Sequence, residues 1–239
     1  MVAPVSRVDQ ILAIANISKD YIDRDCHMII EDAFGAEFRE VAEREHNGKP
    51  ARVLAASRIY PTSQPDLWDA VTNKAHLSRW FAPVEGTLEL GGRYKIKGNA
   101  KGKILECEPH DRFSLTWVVF FDTSWVNVRL NPEDDGTRLT IEHIMHKGRM
   151  SERHWNKYGP GATGVGWDLS FVALGVHLGD GGEPTIDRSD HDEWLKTDDG
   201  KAFMRACAAA WGDSHIAAGE AAKSAKAMAT ATADFYCGS

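Results

Sequence analysis

Cysteine is scarce and scattered in this chain of 239 residues: Cys26, Cys107, Cys207 and Cys237 form no Cys-x-x-Cys pair. That spacing fits neither a zinc knuckle nor a disulfide framework and reads as four reduced thiols. Long apolar runs are missing too. The nearest, residues 11–17, falls far short of the ~20 residues a bilayer span needs and is preceded by Asp9. The basic start, long apolar core and small-residue cleavage site of a secretory leader are not seen, so a cytoplasmic location with no membrane partner is expected. Positive charge is in deficit: 28 Lys and Arg against 35 Asp and Glu give a net charge of −7. Nucleic acid is therefore not expected as a partner, since it is bound mainly through cations set against its phosphates.

Signatures of common active sites are equally thin. There is no Gly-x-Ser-x-Gly elbow and no His-Glu-x-x-His pair. No Gly-x-Gly-x-x-Gly follows a parallel strand. The glycine-rich stretch 159–166 precedes a helix whose N-terminus could attract an anion, but it reads more simply as a flexible lead-in. His143, His146 and His154 invite a metal reading. Positions three apart on a strand point to opposite faces, however, and no carboxylate or cysteine completes a set. Neither a metal nor a cofactor is expected.

What is present is an ordinary globular composition, 43% apolar, arranged with two different periods. Residues 1–50 read as a helical N-terminal extension, with Phe34, Phe38 and Val41 at helical spacing, closed by the turn Asn47-Gly48-Lys49-Pro50. A strand over 52–60 follows, then short helices from Pro65 to Trp80 that stop before Pro83. Period-two alternation then dominates: Tyr94 and Ile96; Phe113, Leu115 and Trp117; Val126, Val128 and Leu130; Leu139, Ile141, His143 and Met145. Strands at such short intervals predict an antiparallel meander of six or seven strands. The helix expected over 162–178 carries two apolar stripes, Val165/Leu169/Val172/Val176 and Trp167/Phe171/Leu174/Leu178. A helix apolar on two sides is buried on two sides. The second stripe is expected to be covered by helices from Lys201 onward, in the same chain or across a homodimer.

Five motifs run in order: Arg79-Trp80-Phe81, Leu90-Gly91-Gly92-Arg93-Tyr94, Glu108-Pro109-His110-Asp111-Arg112-Phe113 into Thr116-Trp117, Asp135-Gly136-Thr137-Arg138-Leu139-Thr140, and Gly164-Val165-Gly166-Trp167-Asp168-Leu169. Together, over about 52–179, they resemble the SRPBCC (START-like, helix-grip) superfamily, and within it the domain named after activators of the heat-shock-protein ATPase. The resemblance implies an α+β fold in which a curved antiparallel sheet wraps around a long helix. It would occupy residues 51–182, with a C-terminal helical extension over 183–239 packed on it. It also implies a cavity between sheet and helix, bordered by Trp80, Phe81, Tyr94, Trp117, Trp155, Trp167 and Phe171. Alternation adds His143, as a ligand hydrogen-bonder or a general acid–base. The expected partner is a small apolar, aromatic or amphipathic ligand. Two alternatives stand beside that reading: a co-chaperone-like module that binds a protein partner, and a cyclase, dehydratase or isomerase using the same cavity. The eukaryotic co-chaperones carry a separate N-terminal domain for which residues 1–50 are too short.

Overall fold

The computed structural model describes residues 35–120, 122–179 and 193–238. Alternation becomes eight strands: β1 (Phe38–His46), β2 (Lys49–Tyr60), β3 (Val84–Gly86), β4 (Arg93–Ile96), β5 (Lys101–Glu108), β6 (Arg112–Val119), β7 (Asp122–Glu133) and β8 (Gly136–His146). They form one curved antiparallel sheet in the order β1-β2-β8-β7-β6-β5-β4-β3. The β1–β2 hairpin turns on Asn47 (φ 51°) and Gly48 (φ 73°), the residue pair that a two-residue turn with both central residues at positive φ favours.

Two short helices, α1 (Gln64–Thr72) and α2 (Lys74–Trp80), separate β2 from β3. Ser63 caps α1 by accepting from the Asp66 amide, with Pro65 in its first turn. Asn73 ends α1 and caps α2 through the Ala75 amide. After β8 come α3 (Arg149–Tyr158) and the long α4 (Gly161–Leu178). A helical hairpin closes the described chain, α5 (Asp198–Ala217) and α6 (Ala222–Cys237). The concave face of the sheet grips α4, and the Tyr60 hydroxyl donates to the Phe171 carbonyl at 2.9 Å. This is the α+β helix-grip architecture.

Three expectations need correction. Residues 38–46 are strand, so the N-terminal stretch is not wholly helical, and a boundary at 51 falls inside β2. The edge strand gains its hydrogen bonds from β2 along its whole length, and this pairing overrides a helix-favouring composition. Eight strands replace six or seven. The stripe of α4 expected to lie under the C-terminal helices faces the sheet instead: Trp167, Phe171 and Leu174 line the space beneath it, whereas α5 meets α4 at Gly164 and Asp168. Expectations for residues 1–34 and for the loop 180–190 lie outside the described residues.

Asp168 shows what α5 contributes. It is fully buried and accepts from four donors: the Ala36 amide and Arg39 Nη2 (2.8 Å each), Arg39 Nε (3.3 Å) and Trp211 Nε1 (2.8 Å). A buried carboxylate is tolerable only when so fully paired. One side chain thus ties β1, α4 and α5 together.

Candidate functional site

Between sheet and α4 lies a chamber of about 290 Å³. Its wall takes Trp80 and Phe81 from the end of α2, Tyr94 from β4, Trp117 from β6, and Trp167 and Phe171 from α4. Sequence reasoning names these six and misses most of the aliphatic remainder, including Leu88, Ile104, Val128, Leu139 and Ile141. Several of those, such as Val128 and Leu139, stand on strands whose inward faces the alternation already marks. Trp68 of α1 is also missed; it packs edge-on against Phe113 with ring centroids 5.8 Å apart.

The wall is apolar in effect as well as in composition, because four of its polar groups are turned to backbone carbonyls. Trp80 Nε1 donates to the Ala70 carbonyl (3.0 Å) and Thr72 Oγ1 to that of Trp68 (2.6 Å). Likewise, the Tyr94 hydroxyl donates to the Thr116 carbonyl (2.7 Å) and Ser170 Oγ to that of Gly166 (2.9 Å). Burial pushes the Tyr94 phenol well up, so it stays a neutral donor. The Cys107 thiol and the indole N–H groups of Trp68, Trp117 and Trp167 are the other polar groups of the lining residues.

A second chamber, about 540 Å³, adjoins the first and shares Phe81, Trp117, Trp167 and Ser170 with it. Here the lining is mixed. Asn99, Thr123, Ser124, His154 and Thr163 stand among Met145, Trp155 and Tyr236. His143 and Trp155 belong to this chamber and not to the first. Trp155 lies under the Arg52 guanidinium, 4.4 Å from ring centre to Cζ, while Arg52 pairs with Glu152 at 2.6 Å.

The partition between the chambers is a set of stacked rings held by one hydrogen-bond chain. Trp117 and Trp167 approach to 5.5 Å between centroids, and His143 lies 6.0 Å from the first and 5.9 Å from the second. Trp167 Nε1 donates to His143 Nδ1 (3.2 Å), so that nitrogen carries no proton. His143 Nε2–H then donates to Ser124 Oγ (2.7 Å), and Ser124 donates onward to the Trp117 carbonyl (3.1 Å). Burial lowers the His143 pKa from its ordinary 6.5 to about 4. A neutral imidazole with both nitrogens engaged has no lone pair for a substrate proton. In this arrangement His143 is a strut that orients Trp167.

The other expected positions fall as follows. His146 Nε2 bonds the His46 carbonyl at 2.9 Å, while the ring of His154 lies 4.9 Å from that of Tyr158. The glycines of 159–166 are explained by contact: a Cβ at Gly161 would stand 3.0 Å from Thr232 of α6, and one at Gly164 2.2 Å from the Trp211 ring.

Residues 61–179 match the family model described as Activator of Hsp90 ATPase homolog 1-like protein. The chain is also similar to CalU16 from Micromonospora echinospora. Against the crystal structure of that protein the identity is 27% and the TM-score 0.58, covering 77% of this chain and 98% of CalU16. Against its solution structure the identity is 26% and the TM-score 0.59, with 77% and 97% covered. No curated protein matches the chain.

Proposed function

From the premise that residues 61–179 belong to the activator of Hsp90 ATPase homolog 1-like family, within the SRPBCC superfamily, we propose that the chain is a binding protein for a small ligand with an apolar body and a polar end. The observation that carries this reading is the 290 Å³ chamber, lined almost wholly by apolar side chains, on whose wall the Thr72, Tyr94 and Ser170 hydroxyls and the Trp80 N–H are turned to backbone carbonyls. Such a wall rewards apolar area and asks for no particular polar partner. The mixed lining beyond the Trp117–Trp167 partition suits the polar end of the same molecule. Binding is favoured over turnover because His143, the one titratable group at the partition, is held neutral and doubly bonded.

Thermal denaturation of the full chain against medium-chain fatty alcohols tests the proposal. A ligand that binds only the folded state raises the melting temperature with its concentration. Val128→Phe, which places a ring in the first chamber, should abolish that rise while the ligand-free protein melts no lower. If Val128→Phe shows the same rise as wild type, the alcohol binds elsewhere and the first chamber is not the site. Failure of every apolar or amphipathic compound to move the transition counts equally against the reading.

A further inference from the structure

The net charge of −7 hides a local reversal. Arg93, Lys95, Lys97, Lys101 and Lys103 follow one another with no acidic residue between them. The register of β4 and β5 sets Arg93 directly opposite Lys103 and Lys95 opposite Lys101. Tyr94, Ile96 and Ile104 take the inner face, so alternation turns the cations outward, and all five are exposed. Like charges directly opposite each other destabilise a sheet. Glu85, opposite Lys95 on β3, is the carboxylate nearest in register.

Large apolar side chains gather at the same place. Six are exposed among the described residues, and four of them, Leu90, Leu105, Val119 and Phe120, flank this hairpin. Leu90 is brought beside β5 by the hydrogen bond from the Gly91 amide to the Ile104 carbonyl, 2.9 Å. Val119 and Phe120 sit at the β6 end next to Lys101, whose register partner is Val118. Phe120 is 88% exposed and holds φ at 54°. That is the left-handed region, which costs a bulky residue free energy and persists where the surroundings or a function require it.

We propose that this end of the sheet is a docking face for an anionic lipid bilayer. Its cations would lie against headgroup phosphates while Phe120 and Val119 enter the interface. Mixed cations and aliphatic side chains fit a bilayer surface better than a nucleic acid, because Leu90, Leu105 and Val119 have no ring and leave Phe120 alone among these four to stack on a base. A peripheral contact of this kind needs no membrane-spanning segment. Val119 and Phe120 also rim the second chamber, with Asn99, so a docked molecule presents that chamber's mouth to the lipid.

Co-sedimentation of the full chain with phosphatidylcholine vesicles, with and without phosphatidylserine, is the test. Binding is expected only to the vesicles containing phosphatidylserine and should weaken steeply as salt rises from about 0.1 M to about 0.5 M. The double variant Lys101→Glu/Lys103→Glu should lose about tenfold or more in vesicle affinity. It should nonetheless melt no lower than wild type, because each new carboxylate then faces a cation across the hairpin. Phe120→Ser should weaken binding without changing its salt dependence. Equal retention by neutral vesicles, retention by neither, or variants that bind like wild type would each overturn the proposal. Capture of a single-stranded RNA homopolymer in place of vesicles would overturn it too.

Discussion

His143 is held neutral by burial, and two neighbours use its ring nitrogens. Removing it should be costly for a specific reason. His143→Ala leaves the Trp167 N–H and the Ser124 hydroxyl without their partner in the interior, a loss of about 1–3 kcal/mol in a denaturant titration. The pH dependence has a definite sign. The unfolded chain protonates this ring near its ordinary 6.5, the folded chain only near 4. Between those values acid favours the unfolded state, so the contribution is complete above about pH 6.5 and declines as pH falls towards 4. His46, His154, His177 and His215 are lowered by burial as well, and all of them share in the total slope. The informative measurement is therefore the difference between wild type and His143→Gln, whose stability should fall less steeply over that range. Identical slopes would mean that the ring is not buried neutral. The sequence places His143 on an inward face correctly, but which chamber it enters depends on ring packing with Trp117 and Trp167, which alternation does not encode. Asp168 was legible only as part of a motif. Its four donors come from segments as far as 132 residues away, and nothing local announces them.

At the scale of elements, the inward faces of β4, β6, β7 and β8 follow from alternation alone, since Tyr94, Leu115, Val126, Leu130 and Leu139 are all buried where the period puts them. The caps of α1 and α2 are equally local. β1 was not legible. Its residues Glu40, Glu43, Arg44 and Glu45 suit a helix surface, and only Val41 is buried. On an edge strand the same charges have a use, discouraging further strands from adding. The inward turn of the Trp167–Phe171–Leu174 stripe has a similar origin. Glycines at 161 and 164 look like a loose lead-in, yet they are where α6 and α5 make their close approach. Gly164→Ala tests this, because its Cβ would fall 2.2 Å from the Trp211 ring. The expected cost is about 1–3 kcal/mol, although the same change in a solvent-facing helix would stabilise it. A neutral or stabilising result would show that α5 does not seat there.

For the molecule as a whole, the α5–α6 hairpin covers what α4 leaves bare. Phe203, Met204, Cys207, Ala208 and Trp211 are buried along α5. Ending the chain after residue 182 would uncover the Gly164 and Asp168 side of α4 and take the Trp211 N–H from the Asp168 carboxylate. The truncated protein should melt lower and aggregate sooner, the usual fate of a large exposed apolar patch. An unchanged melting temperature after truncation would assign the hairpin a role other than covering the core. The order of the sheet has a further consequence, in time rather than in space. β2 finds its inner neighbour only in β8, where Ala51 meets His146 and Tyr60 meets Thr137, while Ala36 and Arg39 wait for Asp168. On the ribosome, the β1–β2 hairpin therefore emerges long before its inner edge has anything to pair with. Closing such distant contacts is the slow part of folding. The nascent chain thus passes through a stage with an unpaired β2 edge and a half-built cavity exposed to whatever chaperones are at hand.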